Sequence, residues 1–176
     1  MAICNALDGN IVKSCDNNTG GVRKMYIADY DNITAITVAG SPEEITAVTM
    51  VASTLFYEFE FNRNTSSFTE DVAIDLTSGS TYFNQGVNLM LNRREASKRD
   101  AIEKLIAGQK KLVIIVLDSN GIYWLFGKDE GSYATTITGG SGIAKADKNG
   151  YEIAFTAEEP LQAFTVDPTI IAALLV

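Results

Sequence analysis

The stretch KLVIIVLDSNGIYWLFGK, from Lys111 to Lys128, limits the possible folds of this chain more than any other part of it. Every residue from Leu112 to Leu117 is apolar, and four of the six are β-branched. That run is short for a buried helix, and its composition suits a strand covered on both faces. Ser119-Asn120-Gly121 is turn chemistry, and IYWLFG (122–127) then returns as a second strand. Together they make the strongest hairpin signal in the sequence.

The rest of the chain carries the same signature. VRKMYIADY (22–30), ITAITVAG (33–40) and EEITAVTMVA (43–52) read as strands, with a turn at Ser41-Pro42 before the third. STYFNQGVNLMLN (80–92) is another, with Gly86 marking a bulge or bend. YEIAFTAEE (151–159) follows the turn DKNG, and the Gly-rich TTITGGSGIAKADKNG before it reads as a loop with short strands. The period changes once. Ala101, Ile102, Leu105 and Ile106 form a helical stripe within REASKRDAIEKLIAGQKK, and Gly108 supplies a stop, which places a helix near 95–107. VDPTIIAALLV is either a short helix capped by Asp167, with Pro168 at its first position, or a last strand. Residues 1–20 read as an irregular arm, and 21–176 as one domain. The expected fold is mainly β (α+β): an antiparallel β-sandwich or half-barrel with one flanking helix.

One segment raises a question of covering. LFYEFEFNRNTSSFTEDVAIDL, Leu55 to Leu76, reads as a long hairpin around the polar tip NRNTSS. Alternation places Leu55, Tyr57, Phe59 and Phe61 on one face of the outgoing arm, opposite Phe56, Glu58 and Glu60. On the return, Phe68, Glu70, Val72, Ile74 and Leu76 lie opposite Thr69, Asp71, Ala73 and Asp75. Such a hairpin would reach roughly 30 Å, against a radius of gyration of about 16 Å for a compact chain of this size. Where it projects, its apolar face needs a partner. Tyr57, Phe59, Phe61, Phe68, Val72 and Ile74 are therefore candidate subunit-interface residues.

Charge is divided unevenly. The chain carries −8 overall, yet Arg93–Lys111 holds seven basic residues against three acidic ones. This basic face is either a solvated helix surface or, through residues such as Arg94 and Lys98, a contact for the acidic surface of an identical neighbour. The broadly acidic remainder repels phosphate backbones, so DNA is expected only as passing cargo.

Little in the sequence points to catalysis. There is no histidine, which removes Ser-His-Asp triads, Cys-His pairs and the common zinc motifs. Cys4 and Cys15 are too few for a metal site and are expected as free thiols rather than a bridge. GIYWLFGK has the wrong spacing for a phosphate loop and lacks the following Ser or Thr. TGGSG (138–142) has a mobile loop as its ordinary reading. Glu58 and Glu60 would sit at a glycosidase-like separation, but alternate carboxylates are common on a solvated strand. DYDN, DSNG and DKNG hold pieces of calcium loops without the remaining ligands. No catalytic, cofactor or metal residue is assigned, and the expected protein is not an enzyme. No apolar run reaches the length of a membrane span, and MAICNALDGNIVK lacks the pattern of a signal peptide.

The phrases GGVRKMYIADYDNIT, FYEFEFNRNTSSFTEDV, GIYWLFGKDEG and GSGIAKADKNGYEIAFTAEEP resemble those of virion structural proteins from tailed phages that infect Bacteroidetes. The resemblance implies a tail-tube-like fold whose subunits form rings, usually of six or a multiple, around the DNA path. It implies that Leu55–Leu76 reaches a neighbouring subunit, that an acidic strand face lines the channel and that the helix lies outside. Implied partners are copies of the chain and other tail or neck proteins, with assembly in the host cytoplasm and residence in the virion tail. The alternatives are another virion component (head–tail connector, head decoration or fibre attachment) or a carbohydrate-binding β-sandwich using Trp124 and Tyr133.

Overall fold

The structure, a computed structural model, describes residues 10–175 apart from 12 and 41. It contains eleven strands and two α-helices in the described chain. The strands are β1 (Val22–Asp29), β2 (Ile33–Ala39), β3 (Glu44–Met50), β4 (Tyr57–Phe59), β5 (Ser67–Asp75), β6 (Ser80–Asn92), β7 (Leu112–Asp118), β8 (Tyr123–Phe126), β9 (Tyr133–Gly140), β10 (Gly150–Glu159) and β11 (Phe164–Val166). Helix α1 (Ala96–Ile106) joins β6 to β7, and α2 (Pro168–Leu174) follows β11.

Two sheets form. The larger has the order β2-β3-β11-β8-β7-β1-β4, and the smaller β5-β6-β10-β9. All pairings are antiparallel except that of β11 with β3. The expected mainly β sandwich with a flanking helix is what the chain adopts.

Alternation explains how the core is divided. Met25 and Ile27 of β1, with Leu112, Ile114 and Val116 of β7, face the smaller sheet and meet Val87, Leu89, Leu91, Ile153 and Phe155. Ile102 and Leu105 of α1 close this inter-sheet core. The intervening residues Tyr26, Ala28, Val113 and Ile115 face the other way, into a second cluster completed by Ile45, Phe56, Ile171 and Leu174. The apolar run of β7 is thus covered on both sides, as its composition requires.

Local signals place the helices. Gly108, at φ +71°, stops the chain after α1 in a left-handed conformation that costs glycine little. Asp167 caps α2, accepting from the Thr169 backbone N–H at 2.8 Å, with Pro168 as the first helical residue. The C-terminal alternative therefore resolves as a helix. Asp118 organises the β7–β8 hairpin: its Oδ1 accepts from the N–H groups of Asn120 (2.8 Å) and Ile122 (2.9 Å).

The long hairpin expected over 55–76 does not form. β4 pairs with β1 in the larger sheet, at Met25↔Phe59 and Ile27↔Tyr57. β5 pairs instead with β6 in the smaller sheet, from Ser67↔Asn88 to Asp75↔Ser80. The segment between β4 and β5 crosses from one layer to the other, with Asn64 left-handed at φ +62°. The physical reason lies one residue upstream of β4. Phe56 is fully buried in the second cluster, and its N–H donates to Leu174 O at 2.8 Å. Anchored there, β4 is committed to the larger sheet. The real long hairpin is β5–β6, turned by Asp75, which accepts from Thr77 N and Ser78 Oγ, both at 2.8 Å.

Two smaller readings also change. β6 runs through Gly86 with no shift of register against β5 or β10. The glycine serves a close approach instead, since a Cβ there would sit 2.8 Å from Thr69 Oγ1. In the Gly-rich 135–150 segment, expected as a loop with short strands, the part up to Gly140 belongs to the eight-residue strand β9, with Gly139 and Gly140 paired to Tyr151 and Gly150, and a loop follows it.

Candidate assembly surface

β6 is longer than the strand beside it. β10 covers it only from Phe83, opposite Glu159, to Asn92, opposite Gly150. Ser80, Thr81 and Tyr82 pair with β5 alone, so the end of the β5–β6 hairpin overhangs the smaller sheet.

Directly paired residues share a face, so one face can be followed along the hairpin. It starts at Phe68↔Val87, where Val87 is buried and Phe68 packs against Trp124 and Phe126, ring centroids 6.3 and 5.3 Å away. It continues through Glu70↔Gln85 and Val72↔Phe83 to Ile74↔Thr81. The core face thus runs on past the end of the core. Val72 is 51% exposed, Ile74 60%, and Leu76 in the turn 92%. A groove of about 450 Å³ adjoins it, lined by Pro42, Phe83, Trp124, Leu161, Ala163 and Phe164 among others.

A polar rivet fixes the hairpin where the overhang begins. Gln85 is buried; its Nε2 donates to Glu70 Oε1 (3.3 Å) and to Leu161 O (3.4 Å). Gln85 Oε1 accepts from Gly127 N at 3.1 Å, and Glu70 Oε1 accepts from Ala163 N at 2.6 Å. These bonds tie the hairpin to the larger sheet and to the loop after β10. The overhang is therefore anchored at its base, and an anchored surface loses less entropy on binding than a free one.

Glu159, at the point where β10 ends, is a second anchor. It is buried, and its carboxylate accepts from the N–H groups of Asp129 (3.0 Å), Glu130 (3.0 Å) and Gly131 (3.2 Å). Burial pushes the carboxyl above its ordinary range; the three amides pull it down, and the nearby Asp129 carboxylate adds to the rise. A raised folded pKa makes the protonated carboxyl favour folding. That contribution is complete below the unfolded value near 4.5 and is lost as pH rises through the folded one. Glu159→Gln removes the titration and turns an amide N–H₂ toward one of the three donors, a mismatch worth about 1–3 kcal/mol. The variant is expected to be less stable at pH 7, and its deficit to widen toward pH 4.5. Urea unfolding at both pH values measures this. A deficit that narrows in acid would show that the amide bonds outweigh burial.

The candidate interface residues separate into four groups. Phe59, Phe61 and Phe68 pack against the inter-sheet core and serve folding. Substituting Phe59 would therefore disturb the core rather than report on assembly. Tyr57 is exposed on the edge strand β4, beside the Lys24–Glu58 ion pair at 2.8 Å. Val72 and Ile74 lie on the overhang. At the other end of β6, Arg94 stacks over the Tyr151 ring, 5.3 Å from its centroid, and Lys98 is drawn to Asn92 O and Glu95. Sequence reasoning missed Leu161 and Phe83 as parts of one groove. Neither has a sequence signal for this, because the groove joins the β10–β11 loop to a strand of the smaller sheet.

The other motifs resolve as local structure. Trp124 Nε1 donates to Asp118 Oδ2 at 3.3 Å, and its ring packs on Phe68. Asp147 in DKNG accepts from Ile143 N (2.7 Å) and Ala144 N (2.8 Å), bonds that hold its carboxyl below the usual range. Among the described residues, no group of three or more His, Cys, Asp or Glu is placed to hold a metal ion, and no helix is long and apolar enough to cross a membrane. Cys15 is exposed, and Cys4 lies outside the described residues, as does most of the 1–20 arm's first half.

No family model, curated protein or solved structure matches the chain. The assignment of a role thus rests on the surface itself and on the sequence phrases given above.

Proposed function

We propose that this protein is a non-enzymatic structural subunit that assembles with copies of itself, as a ring protein of a bacteriophage tail tube or neck. The observation that carries self-assembly is the uncovered continuation of the core face along β5–β6, where Val72, Ile74 and Leu76 stand in solvent. Apolar surface of that kind, rigidly held and clustered, is stabilised when a partner removes it from water, at about 25 cal/mol per Å². The tail setting comes from the resemblance of the sequence phrases to phage virion proteins. The net charge of −8 supports DNA as cargo rather than ligand. Chemical roles are disfavoured by the lack of histidine and by the local duties of the carboxylates described above.

Light scattering coupled to size-exclusion chromatography, with electron microscopy of the same fractions, tests the proposal. The expected result is a species whose mass is a multiple of 19.0 kDa and whose images are annular. A protein that stays at 19.0 kDa up to millimolar concentration would overturn it.

A further inference from the structure

A cleft lies at the other end of β5 from the overhang. Its volume is about 450 Å³, within the roughly 300–1,000 Å³ usual for small-molecule sites, and its side-chain lining includes Thr19, Arg23, Phe61, Arg63, Asn64 and Ser119. Three walls meet there. The end of the N-terminal arm is pinned to the β7–β8 turn, as Thr19 N donates to Asn120 Oδ1 at 2.8 Å and Ser119 N to Gly21 O at 3.0 Å. The third wall is the β4–β5 crossover, held as a turn by the bond from Thr65 Oγ1 to Asn62 O at 2.6 Å. A Cβ on Gly21 would lie 3.3 Å from Ser119 Oγ and 3.9 Å from Asn64 Oδ1, so the three walls converge on one point.

Irregular backbone gathers at this cleft. β1 steps from Val22, opposite Asp118, to Lys24, opposite Leu117, which leaves Arg23 as the extra residue of a β-bulge. Gly21 and Asn64 are left-handed, at φ +105° and +62°. Bulges re-aim side chains, and unusual backbone recurs at binding sites. The result here is two arginines on one cleft. Neither Arg23 nor Arg63 has a carboxylate partner among the described residues, and no Asp or Glu lines the cleft. Asp118, in the adjoining turn, already accepts from Asn120 N, Ile122 N and Trp124 Nε1. Arg23 gives one N–H to Ser119 O, which fixes its guanidinium and leaves donors to spare.

We propose that this cleft binds a phosphate dianion, either free or carried by a small molecule. Two guanidinium charges match a phosphate monoester, which holds about −1.5 to −2 at neutral pH. The Ser119 hydroxyl and the Asn64 amide add donors to the two forks, a set that suits three phosphate oxygens better than the two of a carboxylate. Phe61 supplies an apolar wall for the remainder of a ligand. The site stands independently of the proposed self-assembly.

Titrating the whole protein with inorganic phosphate and with phenyl phosphate, by calorimetry and by backbone amide NMR, tests the site. Phenyl phosphate is expected to bind with a Kd of about 1 mM or tighter. The largest shifts are expected at Thr19–Gly21, Arg63–Asn64 and Ser119. Arg63→Gln, at an exposed position, and Arg23→Lys, which keeps the charge and loses the fork, should each weaken binding at least ~10-fold with unchanged circular dichroism. Lys145→Gln removes the same charge as Arg63→Gln from the β9–β10 loop and should leave the affinity at its parental value. Inorganic phosphate binding as tightly as the ester would support the site and identify the free ion as its ligand. Three results would overturn the proposal: no saturable binding of either probe at about 10 mM, a preference for succinate or for an oligonucleotide, or arginine variants that bind like the parent.

Discussion

Val72→Asp together with Ile74→Asp is expected to abolish assembly and leave the monomer folded. Both side chains lie on the core face of β5 but beyond the region the larger sheet covers, at 51% and 60% exposure. Little transfer free energy is therefore lost within the monomer when they are replaced. Their partners Phe83 and Thr81 also tolerate the change, being at or beyond the last residue of β6 that β10 pairs. In the proposed assembly the same positions would be buried. Two carboxylates that take the place of apolar side chains in such a contact would each cost several kcal/mol of desolvation, which converts to a loss of more than about 100-fold in affinity. Sedimentation velocity reads the assembly and thermal melting reads the fold. Normal assembly by this variant would remove the overhang from the interface.

Gly150→Ala is expected to have the largest effect on stability. Gly150 opens β10, is buried, and pairs with Asn92 on one side and Gly140 on the other. A Cβ there would lie 2.1 Å from Leu91 O and 3.1 Å from both Leu91 C and Asn92 Cα. The obstacle is the backbone of the paired strand at the end of the ladder, so no side-chain rotation relieves it. The strands must separate, and with them the junction that carries Arg94. Overpacking usually costs about 1–3 kcal/mol and occasionally more. This contact belongs at the upper end, which for a chain of this length is a fall in Tm of roughly 6–12 °C. Differential scanning calorimetry measures it. A change in Tm of under about 2 °C would mean that the β6–β10 ladder has slack at its end.

Both predictions depend on features that were unequally visible before the fold was known. The strands were legible because their signal is local. The β-branched run of Leu112–Leu117 and the alternation along Ser80–Asn92 reflect which faces each strand buries, and neighbours in sequence display that directly. The same holds for α1, bounded by Gly108, and for the Asp167-Pro168 start of α2. In the candidate site, Val72 and Ile74 kept their strand face exposed. Phe59, Phe61 and Phe68 did not, and the sequence could not tell the two sets apart, because an amphipathic strand shows that one face is buried without showing what buries it.

The sequence by itself determined most of the strands and helix α1, which side chains share a face along each, and that no histidine chemistry is open to this chain. Only the tertiary structure decided that β4 joins β1 rather than β5, because the choice turns on Phe56 seated beneath α2, more than a hundred residues away in the chain. It also decided that the hairpin overhangs, because β10 stops at Glu159, opposite Phe83, where three amides hold that carboxylate. Side-chain alternation is a property of one strand's backbone, whereas pairing and covering are properties of two elements meeting in space.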